Sequence, residues 1–127
     1  MIKKSEYEKI QPYITKDGSI IRELMHPFVH LNRNQSLAEA IIPQGATTHL
    51  HKHLSSEEIY HITSGSGIIN LGSEKFEIKE GDTICIPPGT AHNVKNTGAV
   101  LLKILCACAP PYSHHDTELV ESDGNKQ

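Results

Sequence analysis

Three histidines stand at alternate positions, His49, His51 and His53, followed closely by the acidic pair Glu57 and Glu58. Successive side chains of an extended strand point to opposite faces, so all three imidazoles would project from one face. Imidazole suits zinc, copper, iron and nickel, and a carboxylate from the next strand would add an oxygen ligand to the same centre. The chemistry on offer is that of a divalent transition metal held by nitrogen and oxygen. A solvated, histidine-rich strand would show the same short pattern, so a second stretch has to decide between them.

That stretch is GDTICIPPGTAHNVKN, residues 81–96. Together the two segments give Gly45, five residues, His51-x-His53, four residues, Glu58, six residues, Gly65, then Gly81, five residues, Pro87-x-Gly89, two residues, His92, three residues, Asn96. This pattern resembles the cupin family, both of whose motifs match in full, and the separation of 66–80 is the short one usual for small single-domain cupins. The resemblance implies an all-β fold, the double-stranded β-helix or antiparallel jelly-roll barrel, with its site inside near one mouth.

The same resemblance places His51, His53, Glu58 and His92 on one metal ion, iron, manganese, nickel or zinc. Three neutral imidazoles and one carboxylate leave one or two positions open at a five- or six-coordinate ion, which a small-molecule ligand can take. Glu57 is the alternative carboxylate, since strand parity cannot be carried through the turn at 54–56. Glu58 is preferred because it stands six residues before Gly65 and shares a face with Tyr60 and Ile62. His49 faces the same way as His51, roughly 7 Å along a strand rising about 3.4 Å per residue, and is expected as an acid or base beside the metal together with Glu58. His61 points to the opposite face. The expected pocket walls are Tyr60, Ile62, Phe76, Val94 and Leu102, with Arg22 the one plausible interior cation.

Short strands must carry these groups. They are expected at 47–53, 58–63, 67–71, 75–78, 83–86, 92–96 and 100–108, each bounded by turn residues, with two earlier strands at 19–25 and 35–42. No stretch holds a sustained 3.6-residue apolar period. Ser5 and Glu8 read as a capping box before at most two helical turns, which Pro12 ends. Alternation about Lys103 turns Leu102, Ile104, Cys106 and Cys108 inward, where a cysteine serves as a small apolar filler. Pro110 and Pro111 stop the last strand, and Tyr112, His114 and His115 are expected in surface packing. The division is an arm over 1–15, a barrel over 16–112 and a tail over 113–127.

At 127 residues there is room for one core. A net charge of −3 with no basic stripe argues against nucleic acid, and the apolar runs are too short to span a membrane. The N-terminal MIKKSEYEKI lacks the apolar core of a signal peptide, and three cysteines, two of them at i and i+2, suit a reducing compartment, so a cytoplasmic protein is expected. A homodimer is expected from the apolar strand surface that an open barrel leaves. The leading functional expectation is a mononuclear metalloenzyme acting on a small oxygen-rich metabolite, dioxygenase chemistry first. A metal-dependent sugar isomerase, epimerase or lyase is the alternative, and a non-catalytic ligand-binding cupin another.

Overall fold

In the computed structural model, which describes residues 3–121, the alternating segments become eleven strands. They are β1 (Tyr13–Ile14), β2 (Ile20–Met25), β3 (Ser36–Ile42), β4 (His51–His53), β5 (Glu57–Ser64), β6 (Ser66–Leu71), β7 (Glu74–Lys79), β8 (Thr83–Ile86), β9 (His92–Asn96), β10 (Leu102–Ala109) and β11 (Thr117–Leu119). Helix is confined to one turn of 3-10 helix at Tyr7–Lys9 and the single turn α1 (Pro27–His30), and no helix among the described residues is long and apolar enough to cross a membrane.

Every strand pair is antiparallel. One sheet runs β1-β2-β3-β10-β5-β8 and the other β11-β4-β9-β6-β7, the two-sheet jelly roll expected from the sequence. The inner faces meet in a core of Ile42, Ile62, Ile84, Ile86, Leu102 and Ile104 from the first sheet and Ile69, Ile78 and Val94 from the second. Ile62, Ile69 and Leu102 are wholly buried, and truncating one of them to alanine removes about 2–5 kcal/mol of stability.

Parity follows the alternation closely where strands are long. In β5 Glu58, Tyr60 and Ile62 are buried while Glu57 and Ile59 are exposed, and in β10 Leu102, Ile104, Cys106 and Cys108 are buried. The two strands register Cys108 opposite Glu58, Cys106 opposite Tyr60 and Ile104 opposite Ile62. Inward side chains therefore form layers, and a layer's height along the barrel decides whether it meets core or cavity.

Local expectations were corrected at three places. Ser5 does not cap a helix: its hydroxyl donates to the Leu24 carbonyl, tying the arm to β2, and Glu6 stands at the N-cap without a side-chain bond. The strand expected over 47–53 is regular only from His51, because the amide of His49 donates to Asp17 O (2.7 Å) and the carbonyl of Leu50 accepts from Val120 N (2.9 Å), so neighbours outside the ladder take its hydrogen bonds. In the tail, Thr117–Leu119 forms β11 on the outer side of β4, in register Thr117 to His53. Asp116 secures that return, accepting from Ser55 N at 2.9 Å and Ser56 N at 3.1 Å. The polar composition of 121–127 reads as a frayed terminus, and of these residues 122–127 lie outside the described ones.

Candidate metal centre

His51 and His53 come from β4 and His92 from the neighbouring β9, where His51 and His92 are paired across the ladder. All three are buried, and their ligand atoms lie within 4.8 Å of one another. Gly89, at φ 79°, makes the left-handed turn that returns the chain to β9 after Pro87 and Pro88, a conformation that a residue with a Cβ resists.

Each ring is tied down through Nδ1. His51 Nδ1–H donates to the carbonyl of His49, two residues earlier, at 2.9 Å, and His92 Nδ1–H to the Thr90 carbonyl at 3.0 Å. Thr117 Oγ1 gives its proton to Ser113 O at 2.8 Å, so at 3.0 Å from His53 it accepts from His53 Nδ1–H. These bonds fix one tautomer in all three rings and leave the Nε2 lone pairs facing one another, the outer-shell pattern of a histidine metal site.

Glu58 arrives from β5. Its Oε1 lies 3.1 Å from His53 Nε2 and 3.4 Å from His92 Nε2, yet Glu58 Oε1 and His92 Nε2 are both buried without a hydrogen-bond partner. Acceptors do not pack against acceptors in a dry interior, so positive charge belongs among them, as protons or as a metal ion. Burial alone would raise the Glu58 carboxyl, but with protons on the facing His53 and His92 nitrogens their hydrogen bonds and charge outweigh it and hold it at about 2. The other carboxylate oxygen, Oε2, accepts from the Cys108 thiol at 3.4 Å, and burial keeps that thiol protonated. Burial and the charge of His92 lower His51. The donor set fits a first-row divalent ion: three oriented nitrogens and one ionised carboxylate.

Glu57 is exposed on the outer face, and His61, also facing away, hydrogen-bonds Thr83 through Nδ1 at 2.8 Å. His49 is a correction. Thr48 and His51 are both buried although three residues apart, so alternation breaks between them and the His49 ring lies outside, against Gly18. In its place the turn between β1 and β2 supplies Asp17, whose Oδ2 lies 3.7 Å from His51 Nε2 and whose Oδ1 accepts from Ser19 N and Ser19 Oγ at 2.9 and 2.6 Å. Gly18, at φ 89°, makes the turn that presents Asp17.

A cavity of about 50 Å³ adjoins His51, His53 and Glu58. Of the pocket residues expected from the sequence only Tyr60 lines it. Ile62, Val94 and Leu102 have the right parity but lie deeper, in the core, and Phe76 is on the edge strand β7, 37 % exposed. Arg22 faces the other side of β2, its guanidinium over the Tyr7 ring (4.7 Å) and 3.9 Å from Glu39, while Ile21 and Glu23 line the cavity. Tyr112, expected at the surface, is a wall too, its ring 5.7 Å from that of His53. The sequence marks Asp17 only as a turn residue, and nothing in it signals Glu23, Tyr112 or Thr117, because long-range folding brings them here.

Two facing antiparallel sheets enclosing histidines and a glutamate near one mouth define a jelly-roll barrel with an internal polar site. The chain belongs to the cupin family: the cupin domain pattern matches residues 38–108. An uncharacterized protein of Methanocaldococcus jannaschii is 63% identical over 118 residues, covering 93% of this chain and 94% of its own length. A protein of Thermotoga maritima described as a predicted oxalate decarboxylase superposes with a TM-score of 0.72 at 27% identity, over 87% of this chain and 99% of that one. The polyketide cyclase RemF of Streptomyces resistomycificus matches at 0.79, at 19% identity over 97% and 88% of the two chains, a likeness of fold.

Proposed function

We propose that this cupin is a metal-dependent enzyme acting on a small oxygen-bearing molecule, with His51, His53, His92 and Glu58 holding one divalent ion. The observation that carries this is the set of Nε2 lone pairs turned on one another and on Glu58 Oε1 by three separate Nδ1 hydrogen bonds. An ion bound there supplies a Lewis acid for a coordinated oxygen, or with iron the one-electron chemistry that a dioxygenase needs.

The chain's own residues favour proton transfer. Asp17 and Glu23 bring two further carboxylates to the cavity, and hydroxyls of Tyr13, Thr15, Ser19, Tyr60 and Tyr112 line it. Carboxylates beside a Lewis-acid site are the equipment of isomerases and lyases, where a proton moves next to a polarised carbonyl. A phosphorylated sugar suits the site poorly, because Arg22, the cation it would need, faces outward. Cavity size agrees with a small substrate: one water needs about 10–15 Å³ by the same measure, so a few heavy atoms fill the space.

Elemental analysis of the purified protein, followed by equilibrium binding of zinc, manganese, nickel and ferrous iron to wild type and His92→Ala, tests this reading. One ion per chain in the wild type and loss in the variant is expected. A wild type that binds none, or a variant that binds equally well, overturns it.

A further inference from the structure

The cavity lining has a sign. Asp17, Glu23 and Glu58 all face it, and among the described residues no lysine or arginine does. Two cations from the segments that carry Asp17 and Glu23 are engaged elsewhere: Lys16 Nζ donates to the carbonyls of His114 and Thr117, both at 2.8 Å, and Arg22 sits over Tyr7. An anionic group on a ligand would find positive charge only at the metal, with carboxylates around the rest of the molecule. Hydroxyl and carbonyl groups would meet the hydroxyls of Thr15, Ser19, Ser36 and Tyr112 instead.

Glu23 is the lining carboxylate with an unpartnered oxygen that does not face the histidines. It stands on β2, outside the segment that the family pattern covers, beside Ala38 of β3. Its Oε2 accepts from the Tyr13 hydroxyl at 3.2 Å, and its Oε1 is buried without any partner. Glu58, by comparison, has its oxygens turned to the histidines and Cys108, and Asp17 has one oxygen on Ser19 and the other toward His51. Burial pushes the Glu23 carboxyl up from its usual value, against the opposing pull of His26, Tyr13 and His30, which strengthens it as a base.

Resting on the metal-enzyme reading, we infer that the ligand is a small uncharged hydroxyaldehyde or hydroxyketone, and that Glu23 Oε1 moves its proton. The C–H bond beside the carbonyl breaks and its electron pair passes to the carbonyl oxygen as Glu23 takes the proton. Glu23 then returns that proton to the former carbonyl carbon, while the neighbouring hydroxyl passes its own proton to the former carbonyl oxygen and becomes the new carbonyl. Atoms and electrons balance without an oxidant or a second reactant.

Glyceraldehyde and glycerate share a carbon skeleton and differ in the carboxylate, so they form the test pair. Binding of each to cobalt-loaded protein is followed by the visible spectrum, after metal content has been measured, and exchange of the glyceraldehyde C2 proton in deuterium oxide is followed by NMR. The wild type is expected to prefer glyceraldehyde at least about tenfold and to catalyse the exchange. In Glu23→Gln, glycerate should gain about tenfold, metal content should stay at one per chain, and exchange should stop. A wild type that prefers glycerate overturns the inference without any variant, and a Glu23→Gln protein that keeps both the preference and the exchange removes Glu23 from it. Absence of bound cobalt in the wild type would instead strike the metal-enzyme reading itself.

Discussion

Thr117 Oγ1 accepts the Nδ1 proton of His53 across 3.0 Å, so a strand from the far end of the chain sets the tautomer of a histidine in the first motif. Thr117→Val keeps the shape and removes the acceptor. Loss of such an outer-shell partner costs about 10–100-fold in metal affinity, and Thr117→Ser should restore most of it. Competition against a chromogenic chelator measures both. Unchanged affinity in Thr117→Val would show that His53 does not bind through Nε2.

The two adjacent glutamates should separate cleanly. Glu58→Gln is expected to abolish tight metal binding, because the buried ionised carboxylate faces two imidazoles at 3.1 and 3.4 Å. Glu57→Gln, on the exposed face, should leave metal content intact and change stability by no more than about 0.5 kcal/mol. Metal analysis beside thermal unfolding checks the pair, and the opposite pattern would exchange their roles.

Acid should destabilise even the metal-free protein through His51, whose folded-state value is lowered by burial and by His92. A depressed value means that the unfolded chain takes up the proton first. The contribution is thus fully present above the ordinary value of about 6.5 and is lost as pH falls from there through the lower folded value. Melting temperature measured from pH 7.5 to 5 should fall, and His51→Gln should flatten that slope. With metal bound the slope should steepen, since protons then compete with the ion. His61→Ala, on the outer face, should leave metal content and the slope unchanged; equal metal loss in His61→Ala and His51→Ala would invert the strand faces.

A row of small and apolar residues crosses the outside of the six-stranded sheet: Leu37, Ala107, Ile59 and Cys85 stand in register across β3, β10, β5 and β8. Ile59 is 41 % exposed and Leu37 37 %, in mid-sheet positions. A second copy of the chain is expected to cover them. Light scattering at micromolar concentration should give twice the chain mass of 14.0 kDa, and Ile59→Lys should halve it. A wild-type mass of one chain would count against the dimer.

The sequence by itself determined an all-β fold, because short alternating strands are written in local periodicity, and its resemblance to the two cupin motifs singled out His51, His53, Glu58 and His92. Alternation with Tyr60 and Ile62, together with the spacing to Gly65, favoured Glu58 over Glu57, and alternation turned His61 away from the site and Cys106 and Cys108 inward, as side chains on a strand have only two faces to choose from; the structure buries Glu58 and exposes Glu57. Parity says nothing about height. It could not tell that Tyr60 and Cys106 border a cavity while Ile62 and Ile104, one layer along, fill the core. Nor could it follow the break at His49, where the His49 amide donates to Asp17 O and Leu50 O accepts from Val120 N, bonds to segments distant in the chain that interrupt the strand as the ring turns outward. Those decisions belong to tertiary structure: the turn before β2, β2 itself and the segment that follows β10 bring Asp17, Glu23, Tyr112 and Thr117 to histidines with which they share no local pattern.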